Sequence, residues 1–284
     1  MISGVALVAK PAGPTSHDVV EQVRRALGTD RVGHLGTLDP FAVGLLVILA
    51  GRATRLASCA AAWTKSYEGV IRLGVVTTTD DATGEPLATS DAWRGLDGGR
   101  IAEALARFCG AYAQRPPAYS AVKIAGERAY RRARRGEAVA PAPRPVQVSE
   151  LELTGLAPPD VRFRATVSAG TYLRSLARDV GEALGCGAHL AALTRTRVGP
   201  FPLADAVAPE AVTPAALRDP AALVADLPRQ ELDEAGRAAV IHGRPVMAGK
   251  GEGGRVALFS NGELVAVAER VADALKPRVV VADA

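Results

Sequence analysis

Gly33-His34-Leu35-Gly36-Thr37-Leu38-Asp39-Pro40, followed closely by Gly44-Leu45-Leu46-Val47-Ile48-Leu49-Ala50, is the stretch on which the reading of this chain turns. Residues 31–40 have no apolar period and carry two glycines and a proline, so they read as a loop. Gly44 to Ala50 is an unbroken apolar run of strand length, as expected of a strand buried on both faces. The pair of segments puts a carboxylate, Asp39, and an imidazole, His34, in a glycine-rich loop at the mouth of a buried element, where catalytic groups tend to lie. An Asp-Pro step is also an ordinary turn in which the carboxylate bonds its own backbone. On these residues alone both readings stand.

Outward from this stretch, Val5 to Ala9 reads as a strand stopped by Lys10-Pro11-Ala12-Gly13-Pro14. Thr15 or Ser16 caps a helix through Leu27, with Val19, Val20, Val23 and Leu27 on one face and Gly28 closing it. On the other side, Ala53 to Ala62 reads as helical, Tyr67 to Val75 as a strand, and Thr77 to Gly84 as a polar turn. Helices follow at Arg100 to Phe108, Gly126 to Gly136 and Tyr172 to Leu184, and strands at Val146 to Thr154 and Val161 to Ala169. No regular βαβ rhythm appears. The expected class is α+β, a mixed and mainly antiparallel sheet with flanking helices. Prolines 200, 202, 209, 214, 220 and 228 punctuate an expected weakly structured stretch that marks the approach to a boundary. Beyond it, Asn261-Gly262 between two apolar runs predicts a hairpin in a small β-rich domain spanning 229–284, after a larger domain spanning 1–228.

Composition bounds the function. The chain has 284 residues, 48% hydrophobic and 23% charged, which excludes the highly charged, apolar-poor pattern of disorder. Cys59, Cys109 and Cys186 are odd in number and widely spaced, and there are four histidines, so neither a disulfide framework nor a metal site is expected. The longest apolar run, residues 41–51, is about half of the ~20 residues a bilayer needs. The Met1-Ile2-Ser3-Gly4 start lacks the basic opening of a secretory signal, so a soluble cytoplasmic protein is expected.

The net charge of +4 is unevenly spread. Residues 115–145 hold Arg115, Lys123, Arg128, Arg131, Arg132, Arg134, Arg135 and Arg144 against Glu127 and Glu137, a local +6 that leaves −2 elsewhere. Arginines interleaved with Tyr119 and Tyr130 suit phosphate neutralisation and base stacking, and suit a solvated helix face equally well. Two further candidates stand out. Gly170-Thr171-Tyr172-Leu173-Arg174 takes a strand into a helix, where Arg174 can pair with a carboxylate and keep it ionised, or bond Asp179 or solvent. Tyr67, in Lys65-Ser66-Tyr67-Glu68, can wall a flat substrate or fill the core.

Lys10-Pro11-Ala12-Gly13-Pro14-Thr15-Ser16, the Gly33 to Pro40 block with Gly44, Tyr67, Pro116-Pro117-Ala118-Tyr119-Ser120-Ala121-Val122-Lys123, Gly170 to Leu176 and Gly187-Ala188-His189-Leu190 together resemble the ordered motifs of the bacterial tRNA pseudouridine synthase B (TruB) family. The resemblance implies the pseudouridine synthase fold with a small C-terminal PUA-like RNA-binding domain, and the conversion of uridine 55 in the T-arm loop of tRNA to pseudouridine. It implies no cofactor and no metal; no membrane contact and no obligate protein partner are expected either, and nothing in the sequence demands more than a monomer. Asp39 would be the catalytic group, Arg174 its ionic partner and Tyr67 the aromatic wall. His34, Gly36, Thr37, Asp81, Tyr172, Leu193 and Lys10 would bind substrate. Lys123, Arg128, Arg131, Arg132, Arg134 and Arg135 would meet the RNA backbone within an insertion over about 115–145. Losing Arg131, Arg132, Arg134 and Arg135 together would lower the salt dependence of binding by up to ~3 log–log units. The C-terminal unit, residues 229–284, is formally neutral and adds little electrostatic affinity. An RNA-guided relative shares the chemistry, and a non-catalytic RNA-folding module would leave the pocket idle.

Overall fold

A computed structural model describes residues 2–283 except 121, 125, 138, 252 and 253; the side chains of Lys123, Arg128, Tyr130 and Arg134 also lie outside the described residues. A nine-stranded sheet forms the larger unit, its main path running Gly4–Lys10, Val43–Ala50, Ala188–Val198, Lys65–Leu73, Asp160–Val167, Arg144–Ala157, Gly110–Gln114. All neighbours on this path are antiparallel except Val43–Ala50 with Ala188–Val198, which pair in parallel through Thr194–Val43 and Arg195–Gly44. The α+β class with a mixed, mainly antiparallel sheet is the one observed.

Local signals explain the elements on the N-terminal side. Helix Ser16–Leu27 starts at Thr15, whose hydroxyl accepts from the Asp18 amide while the Asp18 carboxylate accepts from the Thr15 amide, and it ends on Gly28 in the left-handed region. Its Val19, Val20, Val23 and Leu27 pack on Ala6, Val8, Leu46 and Ile48. Helix Leu173–Ala183 buries Leu173, Leu176 and Val180 against the inner sheet face, among Tyr67, Ile71, Phe163 and Leu190.

Three expectations change. Within the expected loop 31–40, Val32–His34 pairs with Ile48–Ala50 as a short strand, because its backbone lies against an open edge of the apolar run. The segment expected to be helical after Ala50 is a 3-10 helix, Gly51–Ser58. The proline-punctuated stretch is folded onto the core: the Val5, Leu7, Ala9, Val207 and Arg218 backbones bond one another at 2.8–2.9 Å, which covers the outer edge of the Gly4–Lys10 strand.

Residues 229–280 form a five-stranded sheet in the order Arg229–Glu231, Arg255–Ser260, Glu263–Val271, Ala274–Val280, Val246–Met247. Asn261 and Gly262 both take positive φ, 52° and 82°, as a two-residue hairpin turn requires. Phe259, Leu264, Val267 and Val281 join Val5, Leu7, Leu45 and Val47 in one apolar cluster, so the small unit is packed on the large one. No helix among the described residues is long and apolar enough to cross a membrane.

Candidate active site

The loop carrying Asp39 is held by buried side chains from three elements. Ser16 Oγ accepts from the Leu38 amide at 2.8 Å and donates to the Leu38 carbonyl at 3.0 Å. Lys10, 1% exposed, places its ammonium on the carbonyls of Pro11, Pro40 and Ala42 at 2.9, 3.2 and 2.8 Å. Arg195, also 1% exposed, donates from Nε to Leu45 O at 2.7 Å, from Nη2 to Gly36 O at 3.1 Å and from Nη1 to Thr37 O at 3.3 Å. Gly44 completes the arrangement: at φ +105° a Cβ would stand 2.4 Å from the Arg195 carbonyl oxygen, so only glycine lets the two strands approach. A loop whose carbonyls are so fully engaged presents Asp39 in one position.

Asp39 faces Arg174. Arg174 Nε lies 2.9 Å from Asp39 Oδ2, and Nη2 donates to Oδ1 at 3.2 Å. The guanidinium also donates to the carbonyls of Thr79 and Tyr119, both at 3.0 Å, and its Nη1 is 3.5 Å from Asp81 Oδ2. Arg174 is buried, and Asp81 beneath it accepts from the hydroxyls of Thr79 and Thr83 and from the Thr83 amide. The helix bearing Arg174 is tied to residues 114–115. The Gln114 amide accepts from Tyr172 N at 2.8 Å and donates to Tyr172 O at 3.1 Å, while Ser175 and Arg178 both donate to Arg115 O at 2.8 Å.

Around this pair opens a cavity of about 550 Å³, lined by His34, Tyr67, Tyr119, Tyr172 and Leu193 among others, within the size range of small-ligand sites. Burial pushes the Asp39 carboxyl above the usual carboxylate range; Arg174 pulls it down, Asp81 adds to the rise, and the net direction is up. Arg174 thus favours the ionised form, as its pairing with a carboxylate suggests, but offsets only part of the desolvation cost. Burial, helped by the Arg195 charge, lowers His34, which favours neutral imidazole. Burial likewise raises the Tyr172 hydroxyl. Among the described residues no three His, Cys, Asp or Glu side chains cluster as metal ligands.

Residues 24–173 match the TruB family pseudouridylate synthase N-terminal domain, and residues 174–233 match the tRNA pseudouridylate synthase B C-terminal domain. The tRNA pseudouridine synthase B of Thermobifida fusca is 45% identical over 293 aligned positions, 99% of each chain. The chain belongs to the TruB family. It is accordingly a pseudouridine synthase, an isomerase. The synthase B of Cutibacterium acnes is 50% identical over 220 residues, 75% of this chain and 74% of its own. Among solved structures, a chain of an H/ACA RNP bound to a substrate RNA containing 2'-deoxyuridine superposes with a TM-score of 0.74 at 26% identity, covering 99% of this chain and 85% of its own. A chain of an archaeal box H/ACA sRNP Nop10-Cbf5 complex gives 0.73 at 28%, covering 98% and 86%.

Within the TruB fold, the cavity gathers Asp39, Tyr67, Arg174, His34, Gly36, Thr37, Tyr172 and Leu193. It does not gather Lys10 or Asp81. Lys10 is corrected from substrate contact to loop support, its ammonium already engaged by three carbonyls; Asp81 braces Arg174 from behind. Arg195 and Lys65 also line the cavity. Neither stands out in the sequence, although a buried arginine and a half-buried lysine on one cavity wall are the kind of exception that marks a site.

The basic insertion is more self-paired than its composition suggests. Arg135 forks onto Glu127 at 2.6 and 2.9 Å and reaches Glu137, and Arg132 donates to Glu137 at 2.7 Å. Arg131 is exposed and carries no ion pair among the described residues. The expected RNA contacts of Lys123, Arg128 and Arg134 concern side chains outside the described residues. Two of the four arginines counted toward the ~3-unit salt effect thus have glutamate partners, which reduces the expected change.

Proposed function

We propose that this chain converts uridine 55 in the T-arm loop of tRNA to pseudouridine, acting alone on the RNA and without a cofactor. The observation that carries this reading is a carboxylate, Asp39, ion-paired to the buried Arg174 in a cavity walled by Tyr67, Tyr172 and Leu193. A uridine in a structured loop must leave its stack to be reached, and a cavity of this size with aromatic walls receives a flipped base. The glycosidic N1–C1′ bond then breaks, the uracil turns, and C5 bonds C1′ while the C5 proton is lost and N1 gains one. Attack by Asp39 at C1′, attack at C6, and deprotonation at C2′ toward a glycal all use the ionised carboxylate, so the geometry serves each route. Arg174 stabilises that charge where burial opposes it.

The exposed basic insertion would take phosphates of the T-arm, and the C-terminal sheet would serve as a PUA-like module that chiefly packs on the core. The relatives of 45% and 50% identity bear the name tRNA pseudouridine synthase B, which favours tRNA over a guided target. The test is a bare tRNA transcript incubated with the purified chain and mapped for pseudouridine. Modification at position 55 alone supports the proposal. Modification only when a guide RNA and partner proteins are added would favour the RNA-guided reading, which the H/ACA likeness raises.

A further inference from the structure

The basic side chains around the cavity can be accounted for one at a time. Arg174 is committed to Asp39 and to two carbonyls, Arg195 to three carbonyls, and Lys10 to three more. Lys65 differs. It lines the cavity, and its Nζ donates once, to Trp63 O at 3.1 Å. No carboxylate among the described residues acts on it, and the charge it meets is that of Arg195, of the same sign. Lys65 opens the strand Lys65–Leu73 two residues before Tyr67, so both side chains leave the same face. Its Cε would sit 3.1 Å from a Cβ on Gly36, which places the ammonium where the Asp39 loop meets the Tyr67 wall.

An ammonium has three donors, and one is used. Burial lowers this amine to about 8, the signature of a charge short of solvent and of a counter-ion. The uridine base and ribose are neutral; the anionic part of an RNA nucleotide is its phosphodiester. Given the RNA-uridine reading of the cavity, on which this step rests, we infer that Lys65 is a substrate-binding residue that grips a phosphodiester oxygen flanking the flipped uridine. Such a contact fixes the strand's register and is indifferent to the base.

The test uses the full chain, as wild type, Lys65→Met and Lys65→Arg, with a T-arm stem-loop that is unmodified or carries one neutral methylphosphonate 5′ or 3′ of the target uridine. Lys65→Met should bind the unmodified RNA roughly tenfold more weakly, with a salt slope lower by ~0.7 to 0.9, while the single-turnover rate at saturating RNA stays within about twofold. One of the two methylphosphonates should weaken wild type by the same factor and leave Lys65→Met unaffected. Wild-type affinity should decline as pH rises through 8, where the amine loses its proton, and Lys65→Arg should not decline there. A saturating rate that falls while affinity holds would overturn the inference and assign Lys65 to the departing uracil anion. So would two methylphosphonates that each act equally on wild type and Lys65→Met. If Lys65→Met fails to fold, the methylphosphonate and pH comparisons of wild type with Lys65→Arg decide by themselves. If wild type leaves the stem-loop uridine unconverted, the RNA-uridine reading itself is what fails.

Discussion

Replacing Arg174 by Met removes the cation from two carboxylates at once, and the structure sets the size of the effect. Arg174 and Asp81 are nearly inaccessible, with side chains 7% and 5% exposed, whereas the Asp39 side chain is 34% exposed. Taking one partner from a buried ion pair costs about 3–5 kcal/mol, because the other charge stays buried without compensation. Most of that should come from Asp81, since solvent screens the more exposed Asp39. Asp81 keeps its bonds from Thr79 and Thr83, which argues for the lower end. Against a total stability of about 5–15 kcal/mol, the variant should fold but melt markedly earlier. Its pH–rate profile should also move. Burial already raises Asp39, and Arg174 is the main opposing influence, so its loss lifts the carboxyl further. On the proposed mechanism the rate follows ionised Asp39 and falls as pH drops through that value; in Arg174→Met the loss should begin at higher pH, with partial recovery in alkaline buffer. Urea unfolding and single-turnover rates on a T-arm stem-loop across pH measure both. A variant within about 1 kcal/mol of wild type, with an unmoved acid limb, would refute the ion pair as the organiser of the site.

Gly44→Ala should destabilise by more than ~1 kcal/mol, since a Cβ at this positive φ would also clash with the Arg195 backbone, and a thermal melt will register it. Gln114→Leu should lower the single-turnover rate at saturating RNA more than it weakens binding, because it frees both bonds to the Tyr172 peptide that begins the Arg174 helix; equal losses would count against that linkage. Arg131→Ala should lower the salt slope of tRNA binding by ~0.7 to 0.9. Glu127→Gln should instead tighten binding at low salt by releasing Arg135 to the RNA, as filter binding at several salt concentrations can show.

The parts of the fold that were legible in the sequence are those specified locally. Thr15, Asp18 and Gly28 bracket a helix whose valines fall on one face, and Asn261-Gly262 marks its hairpin, because capping and turn chemistry act within a few residues. The strand Ala188–Val198 was not legible, although it lies in the middle of the sheet. Bulges between Leu190 and Ala192 and between Arg195 and Arg197 shift its pairing, so its buried residues fall at 188, 189, 190, 193, 195 and 198 and keep no regular alternation. Arg195 was hidden for the same reason: an arginine in an irregular polar stretch reads as surface, and only the arrival of Gly36, Thr37 and Leu45 from elsewhere in the chain gives it carbonyls to bond. Lys10 shows the converse. Its place in a recognisable motif suggested contact with substrate, and the fold spends its charge on the loop that holds Asp39.

The central claim is that the Asp39 carboxylate, held by Arg174, performs the isomerisation. Asp39→Asn keeps the shape of the side chain and removes its charge, so the decisive measurement is pseudouridine at position 55 of a tRNA transcript under single-turnover conditions, with binding followed in parallel. The account predicts that Asp39→Asn binds tRNA within a fewfold of wild type and forms no measurable pseudouridine. Formation at the wild-type rate would contradict it.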